Sequence, residues 1–159
     1  MPADDRTTDQ DLWAAVVAAE QQAAAARAAF HRNAGSRRQV LAAGLRGHSA
    51  WERGAALSCL EAQPDDVPEL LDQLVGLALL PGWAGRARRV IDRGRREAVL
   101  PAVRHIVDTL LPTAEADHYR RLAELLDHLA DRPALHALVE RAAASDDEET
   151  REVAVDFAS

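Results

Sequence analysis

Three stretches carry the decision about the fold: PELLDQLVGL at Pro68–Leu77, PAVRHIVDTL at Pro101–Leu110 and PALHALVERA at Pro133–Ala142. Their prolines stand 33 and 32 residues apart. Behind each proline the same offsets hold apolar side chains: Leu70, Leu74 and Leu77; Val103, Val107 and Leu110; Leu135, Val139 and Ala142. A proline costs least near the start of a helix, where its missing N–H had no partner, so each is expected close to a helix opening. A unit of this length holds two short helices that cannot bury their apolar faces alone, and neighbouring units must stack to make a continuous core. The pattern predicts copies of one helical hairpin.

Outward from these copies, helix-opening signals recur along the whole chain and runs rich in valine, isoleucine and threonine are missing, which predicts an all-α protein. Thr8 precedes an alanine-rich segment, Asp9 to Asn33, framed by Leu12, Trp13, Val16, Val17 and Phe30, with Gly35 to end it. Alanine has the highest helix propensity, so this reads as one long helix. Ser36 opens a second helix to about Leu45, and Ser49 with Glu52 three residues on starts a third that runs to about Gln63, where Pro64 and two aspartates break it. Further helices are predicted over Val67–Leu80, Trp83–Arg93, Glu97–Leu111, Ala114–Ala130, Pro133–Ala144 and Asp147–Phe157. Their short links set each helix antiparallel to the one before.

The composition narrows the chemistry. The 159 residues suit one domain, and 48% hydrophobic with 28% charged residues is neither a disordered nor a membrane-spanning balance. All 19 cationic residues are arginine. That excludes the reactions that need a lysine: Schiff bases, the P-loop lysine and the SxxK nucleophile pair. A net charge of -7 repels polyanions unless the arginines gather on one surface. Cys59 is the only cysteine, which excludes an internal disulfide and a cysteine-rich zinc knuckle and suits a reducing, cytoplasmic setting. Residues 1–8 are polar, lack a basic apolar leader and read as a flexible N-terminus without an export signal.

The predicted hairpins resemble HEAT repeats, in which a proline-bearing first helix and a turn lead into a second helix that opens with an arginine and small residues. The likeness is carried by Asp146, Asp147, Arg151, Val153 and Ala154, by Arg53, Ala55 and Ala56 after Trp51, and more weakly by Arg86 with Ala87 and Arg121 with Ala123. It implies a right-handed α-solenoid of about three to four stacked hairpins over residues 36–159, with the helix at 9–35 as an N-terminal cap. It also implies that second helices line a concave face and that turn aspartate and arginine order each hairpin. The period is shorter than the usual HEAT length and nearer a short HEAT-like subgroup; the tetratricopeptide pattern, of similar length, lacks its glycine and aromatic positions here.

One local feature points to binding. Arg86, Arg88, Arg89, Arg93, Arg95 and Arg96 crowd a stretch whose counter-charges are Asp92 and Glu97. On one helix, Ala87, Val90, Ile91 and Gly94 would share the buried side and Arg89, Arg93 and Arg96 would form an outward stripe, beside Arg121 and His128 of the next second helix. Guanidinium forks suit carboxylates or phosphates; the plain alternative is a solvated face balanced by acidic neighbours. Trp51 and Trp83 stand at equivalent helix starts, and packing within the hairpins is the expected use of both, with Trp83 the one nearest the arginines.

Other chemistry is thin. The histidines at 31, 48, 105, 118, 128 and 136 form no pair on one helix face, and Glu124 beside His128 reads as a surface pair, so neither a metal nor a cofactor is expected. Cys59 between Leu57 and Leu60 reads as core. The sequence therefore points to a non-enzymatic scaffold or adaptor that binds another protein or an acidic peptide through Arg89, Arg93, Arg96, Arg121, His128 and Trp83, with no membrane role. Nucleic acid is the second choice, including a distant likeness to HEAT-like alkylpurine DNA glycosylases through Trp83, Asp92 and Arg89; a regulatory subunit of a larger enzyme is the third.

Overall fold

A computed structural model describes residues 8–158. Most of the expected flexible N-terminus, residues 1–7, lies outside the described residues, and Thr8 belongs to the first helix as its cap. Every regular element described is helical: α1 (Asp9–Asn33), α2 (Arg37–Arg46), α3 (Ala50–Ala62), α4 (Leu71–Ala78), α5 (Ala84–Asp92), α6 (Arg96–Leu110), α7 (Ala116–His128), α8 (Arg132–Ala143) and α9 (Glu148–Asp156). Single 3-10 turns cover Pro64–Asp66, Pro68–Leu70 and Leu111–Thr113. The chain divides into two compact units between Arg37 and Arg38.

The first unit is α1. Thr8 Oγ1 accepts from the Asp11 N–H at 3.2 Å while the Asp11 carboxylate takes the Thr8 N–H at 2.9 Å, closing a reciprocal cap. His31 and Arg32 sit in the last turn, where the helix dipole favours positive charge. No residue of α1 is buried.

The second unit owns the core. Leu57 and Leu60 of α3, Leu74 and Val75 of α4, Val90 and Ile91 of α5, Val103 of α6 and Leu122, Leu125 and Leu126 of α7 are fully enclosed. Consecutive helices pack as pairs, α4 on α5, α7 on α8 and α8 on α9, and helices two apart also meet: α3 with α5, α5 with α7, α7 with α9, and α4 with α6. The apolar positions behind the three prolines all face inward. Leu70, Leu74, Leu77, Val103, Val107, Leu135 and Ala142 are buried, with Leu110 and Val139 half-buried.

The prolines themselves are placed less uniformly than their spacing predicts. Pro133 lies in the first turn of α8, and Pro68 opens the 3-10 turn that splits the expected Val67–Leu80 helix. Pro101 sits inside α6, because that helix begins at Arg96. Its exposed position keeps the gap in the backbone ladder on the solvent side.

Caps follow the sequence closely. Ser49 Oγ accepts from the Glu52 N–H at 3.2 Å, and the Asp147 carboxylate accepts from the Thr150 N–H at 2.9 Å and hydroxyl at 2.6 Å. Two of the arginines that carried the repeat resemblance, Arg151 and Arg53, hold turns through backbone oxygens. Arg151, fourth in α9, donates to the carbonyls of Ser145 and Asp146 at 2.9 and 2.8 Å. Arg53, fourth in α3, donates to those of Leu45 and Gly47 at 3.3 and 2.6 Å. Thus the turn aspartate caps the helix and the arginine gathers the carbonyls, where carboxylate–arginine pairing was expected.

Candidate functional site

The arginines of the second unit fall into two groups. The first is committed to the fold. Arg86 of α5 grips Glu61 of α3 through two bonds of 2.8 and 2.9 Å and adds the Ser58 hydroxyl at 2.7 Å. Arg88 of α5 reaches Glu124 of α7, which also accepts from Arg121 at 3.1 Å. Arg120 of α7 reaches Asp156 of α9 at 2.5 Å. Salt links therefore join α3 to α5, α5 to α7 and α7 to α9. Two of them are one arrangement repeated: Arg88 and Arg120 are 32 residues apart, as are Glu124 and Asp156.

These links set the carboxylates' acidity. The hydrogen bonds from Arg86 hold the Glu61 carboxyl below its usual range against partial burial, and the charges of Arg89 and Arg93 push the same way. Burial pushes the Glu124 carboxyl up, but Arg88 and Arg121 together outweigh it and leave it lowered.

The second group is free of such duties. Arg89, Arg93, Arg95 and Arg96 are exposed, and none makes an ion pair with a described residue. The stripe expected on a single helix is not formed. α5 ends at Asp92, Arg93 is its C-cap, Arg95 is extended at φ -62°, ψ 117°, and Arg96 begins α6. Gly94 lies in this break, and a Cβ there would stand 2.7 Å from methyls of both Val67 and Val99, so the turn packs against the core where a side chain would not fit. Arg89 and Arg93 act on Glu61, whereas Arg96 acts on Asp131 at the start of α8. The four arginines lie in sequence along the last turn of α5, the α5–α6 turn and the start of α6, with exposed Asp92 and Glu97 among them.

The remaining expected residues are divided in role. Arg121 is half-buried and held by Glu124, and His128 is the exposed last residue of α7. Trp83 is the N-cap residue of α5, half-buried, with the Arg53 guanidinium 5.1 Å from its ring centroid. Trp51 is 90% exposed, against the expectation that it packs. It lies in the first turn of α3 on the side away from Ala56, Leu57 and Leu60. Cys59 is half-buried rather than enclosed. Trp83 and Asp92 stand at opposite ends of α5, about 13 Å apart along its axis.

Two buried carboxylates went unread in the sequence. Asp66 and Asp131 are 5% and 2% exposed, and each precedes a proline, Pro68 or Pro133, by two residues. Each takes an arginine from an earlier helix: Asp66 lies 3.8 Å from Arg38 of α2, and Asp131 is clasped by Arg104 of α6. An aspartate two residues ahead of a proline, repeated 65 residues on, was the available signal. No group of three or more histidine, cysteine or acidic side chains among the described residues is arranged to hold a metal ion. Neither a family model, nor a curated protein, nor a solved structure matches this chain.

Proposed function

We propose that the chain is a helical-repeat interaction module, a short HEAT-like α-solenoid acting as scaffold or adaptor without catalytic activity, which takes an acidic segment of another protein. The repeated Arg88–Glu124 and Arg120–Asp156 links support the repeat reading. One observation carries the binding role: Arg89, Arg93, Arg95 and Arg96 remain exposed and unpaired in an acidic protein whose neighbouring arginines are bound to carboxylates. Guanidinium groups held on a rigid helix junction offer paired donors to carboxylate oxygens at little conformational cost. Trp83 at the other end of α5, with Arg53 over its indole, and Arg121 and His128 of α7 are the further contact residues of the proposal.

The test is fluorescence anisotropy with a labelled glutamate-rich peptide at low salt. Binding by the wild type, weakened at least tenfold in Arg89→Ala/Arg93→Ala and unchanged in Arg120→Ala, supports the reading. No binding by the wild type, or equal binding by both variants, removes it. The same arginines favour phosphate, so a labelled DNA duplex is run alongside. Preference for the duplex, with affinity falling steeply as salt rises, would favour the nucleic-acid reading.

A further inference from the structure

α1 is unlike every other helix of the chain. Its N-terminal half presents Leu12, Trp13, Val16 and Val17 to solvent, with Trp13 66% and Leu12 56% exposed. At 100° per residue these belong to one stripe that continues to the helix end, where Arg27, Phe30, His31 and Ala34 are half-buried. Trp13, Glu20, Arg27 and the C-cap Ala34 stand seven residues apart along one line of the helix, and Val16/Val17, Ala23/Ala24 and Phe30/His31 lie between them. The line is apolar at its start, charged and alanine-lined at its middle.

The stripe is also complementary to itself in reverse. Its charges are sorted, with Asp9, Asp11 and Glu20 in the first half and Arg27, His31 and Arg32 in the second. Set two such helices antiparallel about the Ala23/Ala24 step and Glu20 of each lies level with Arg27 of the other. Val17 then lies level with Phe30, and the large Trp13 with the small Ala34. The alanines at the centre allow close approach of the two backbones. A parallel pair would oppose like charges at both positions. We infer that α1 is a self-association helix, and that two copies of this chain join through an antiparallel α1 pair with reciprocal Glu20–Arg27 contacts.

From Trp13 to Ala34 the stripe is about 32 Å long. Over two helices it removes on the order of 1,000 Å² from water, at the lower edge of specific interfaces, which fits a reversible dimer. Sedimentation equilibrium on the full chain reads the assembly directly. The wild type is expected to pass from monomer to dimer across the micromolar range. Glu20→Arg alone and Arg27→Glu alone each raise the dissociation constant at least tenfold, because each sets like charges opposite one another. An equimolar mixture of these two variants recovers the dimer, since opposite charges then meet at both positions. Trp13→Gln, which keeps helix propensity, also weakens association. A wild type that stays monomeric at about 200 µM overturns the inference; so do charge variants that dimerise as well alone as mixed.

Discussion

Arg104 clasps Asp131 through two parallel hydrogen bonds, Nε to Oδ2 at 2.7 Å and Nη2 to Oδ1 at 2.8 Å. The aspartate side chain has no exposed surface, while the arginine is nearly half exposed. Asp131 also caps α8, accepting from the Ala134 N–H at 3.4 Å. Removing the arginine leaves a buried carboxylate without its counter-charge, which costs far more than the net worth of the pair. Arg104→Met is expected to lower the melting temperature by on the order of 5 °C or more at neutral pH. Adding Asp131→Ser, which keeps a cap and removes the charge, should restore part of that loss. Differential scanning calorimetry checks both.

Acid should weaken the fold in a definite window. Arg104 hydrogen bonds hold the Asp131 carboxyl down against burial, and Glu61 and Glu124 are likewise lowered by their arginines. A carboxyl whose folded pKa lies below its unfolded value, roughly 4, contributes its stabilisation fully above that value and loses it as pH falls through the folded one. Urea midpoints should therefore be flat from pH 7 to about 5 and fall below about 4. Arg86→Leu, which frees Glu61, should be less stable at pH 7 and show a shallower decline. A decline as steep as that of the wild type would show that Glu61 contributes nothing.

The two equivalent salt links should differ in worth because they differ in exposure. Arg120 and Asp156 are 39% and 50% exposed, against 19% and 29% for Arg88 and Glu124. Solvent screens the outer pair, so Arg120→Ala should change unfolding free energy by less than about 1 kcal/mol. Glu124→Gln strands two half-buried guanidinium groups and should cost more than Arg120→Ala by a factor of two or greater. Equilibrium urea unfolding ranks them.

Ala130 is the one residue other than glycine with positive φ, 51°, among those described. It ends α7, with its own N–H bonded to the Asp127 carbonyl at 2.9 Å and the next N–H, of Asp131, bonded to the Leu126 carbonyl at 2.9 Å. That is the left-handed helix ending in which glycine avoids a Cβ penalty. Ala130→Gly should stabilise the protein by about 1 kcal/mol, read as a higher urea midpoint.

Gly94→Ala should act in the opposite sense. Its new methyl meets two buried valines, so the cost is about 1–3 kcal/mol of overpacking. Combining it with Val99→Ala should recover part of the loss, a non-additive result that a double-mutant cycle measures.

Most helix positions were legible because local chemistry decides them. Thr8, Ser49 and Asp147 cap the helices they were expected to cap, and α1 spans the predicted residues. What the sequence hid depends on residues far along the chain. The helix end near Arg93 was legible, so carrying the stripe on to Arg96 crossed a break the sequence already marked, while the tight seat of Gly94 against Val67 and Val99 was not visible locally. Nor does a local window separate Arg88, which meets a carboxylate 36 residues on, from Arg89, which meets none. Trp51 misled for a related reason: indoles are usually enclosed, but a first-turn position can face away from the core.

The Arg88–Glu124 and Arg120–Asp156 links each span 36 residues and tie a helix to the second helix after it. During synthesis the Arg88–Glu124 clasp can close once α7 has left the ribosome, while the Arg120–Asp156 clasp waits for α9. The first tie thus forms before the last helices are made, which shortens the stretch of nascent chain left to wander in search of a wrong partner.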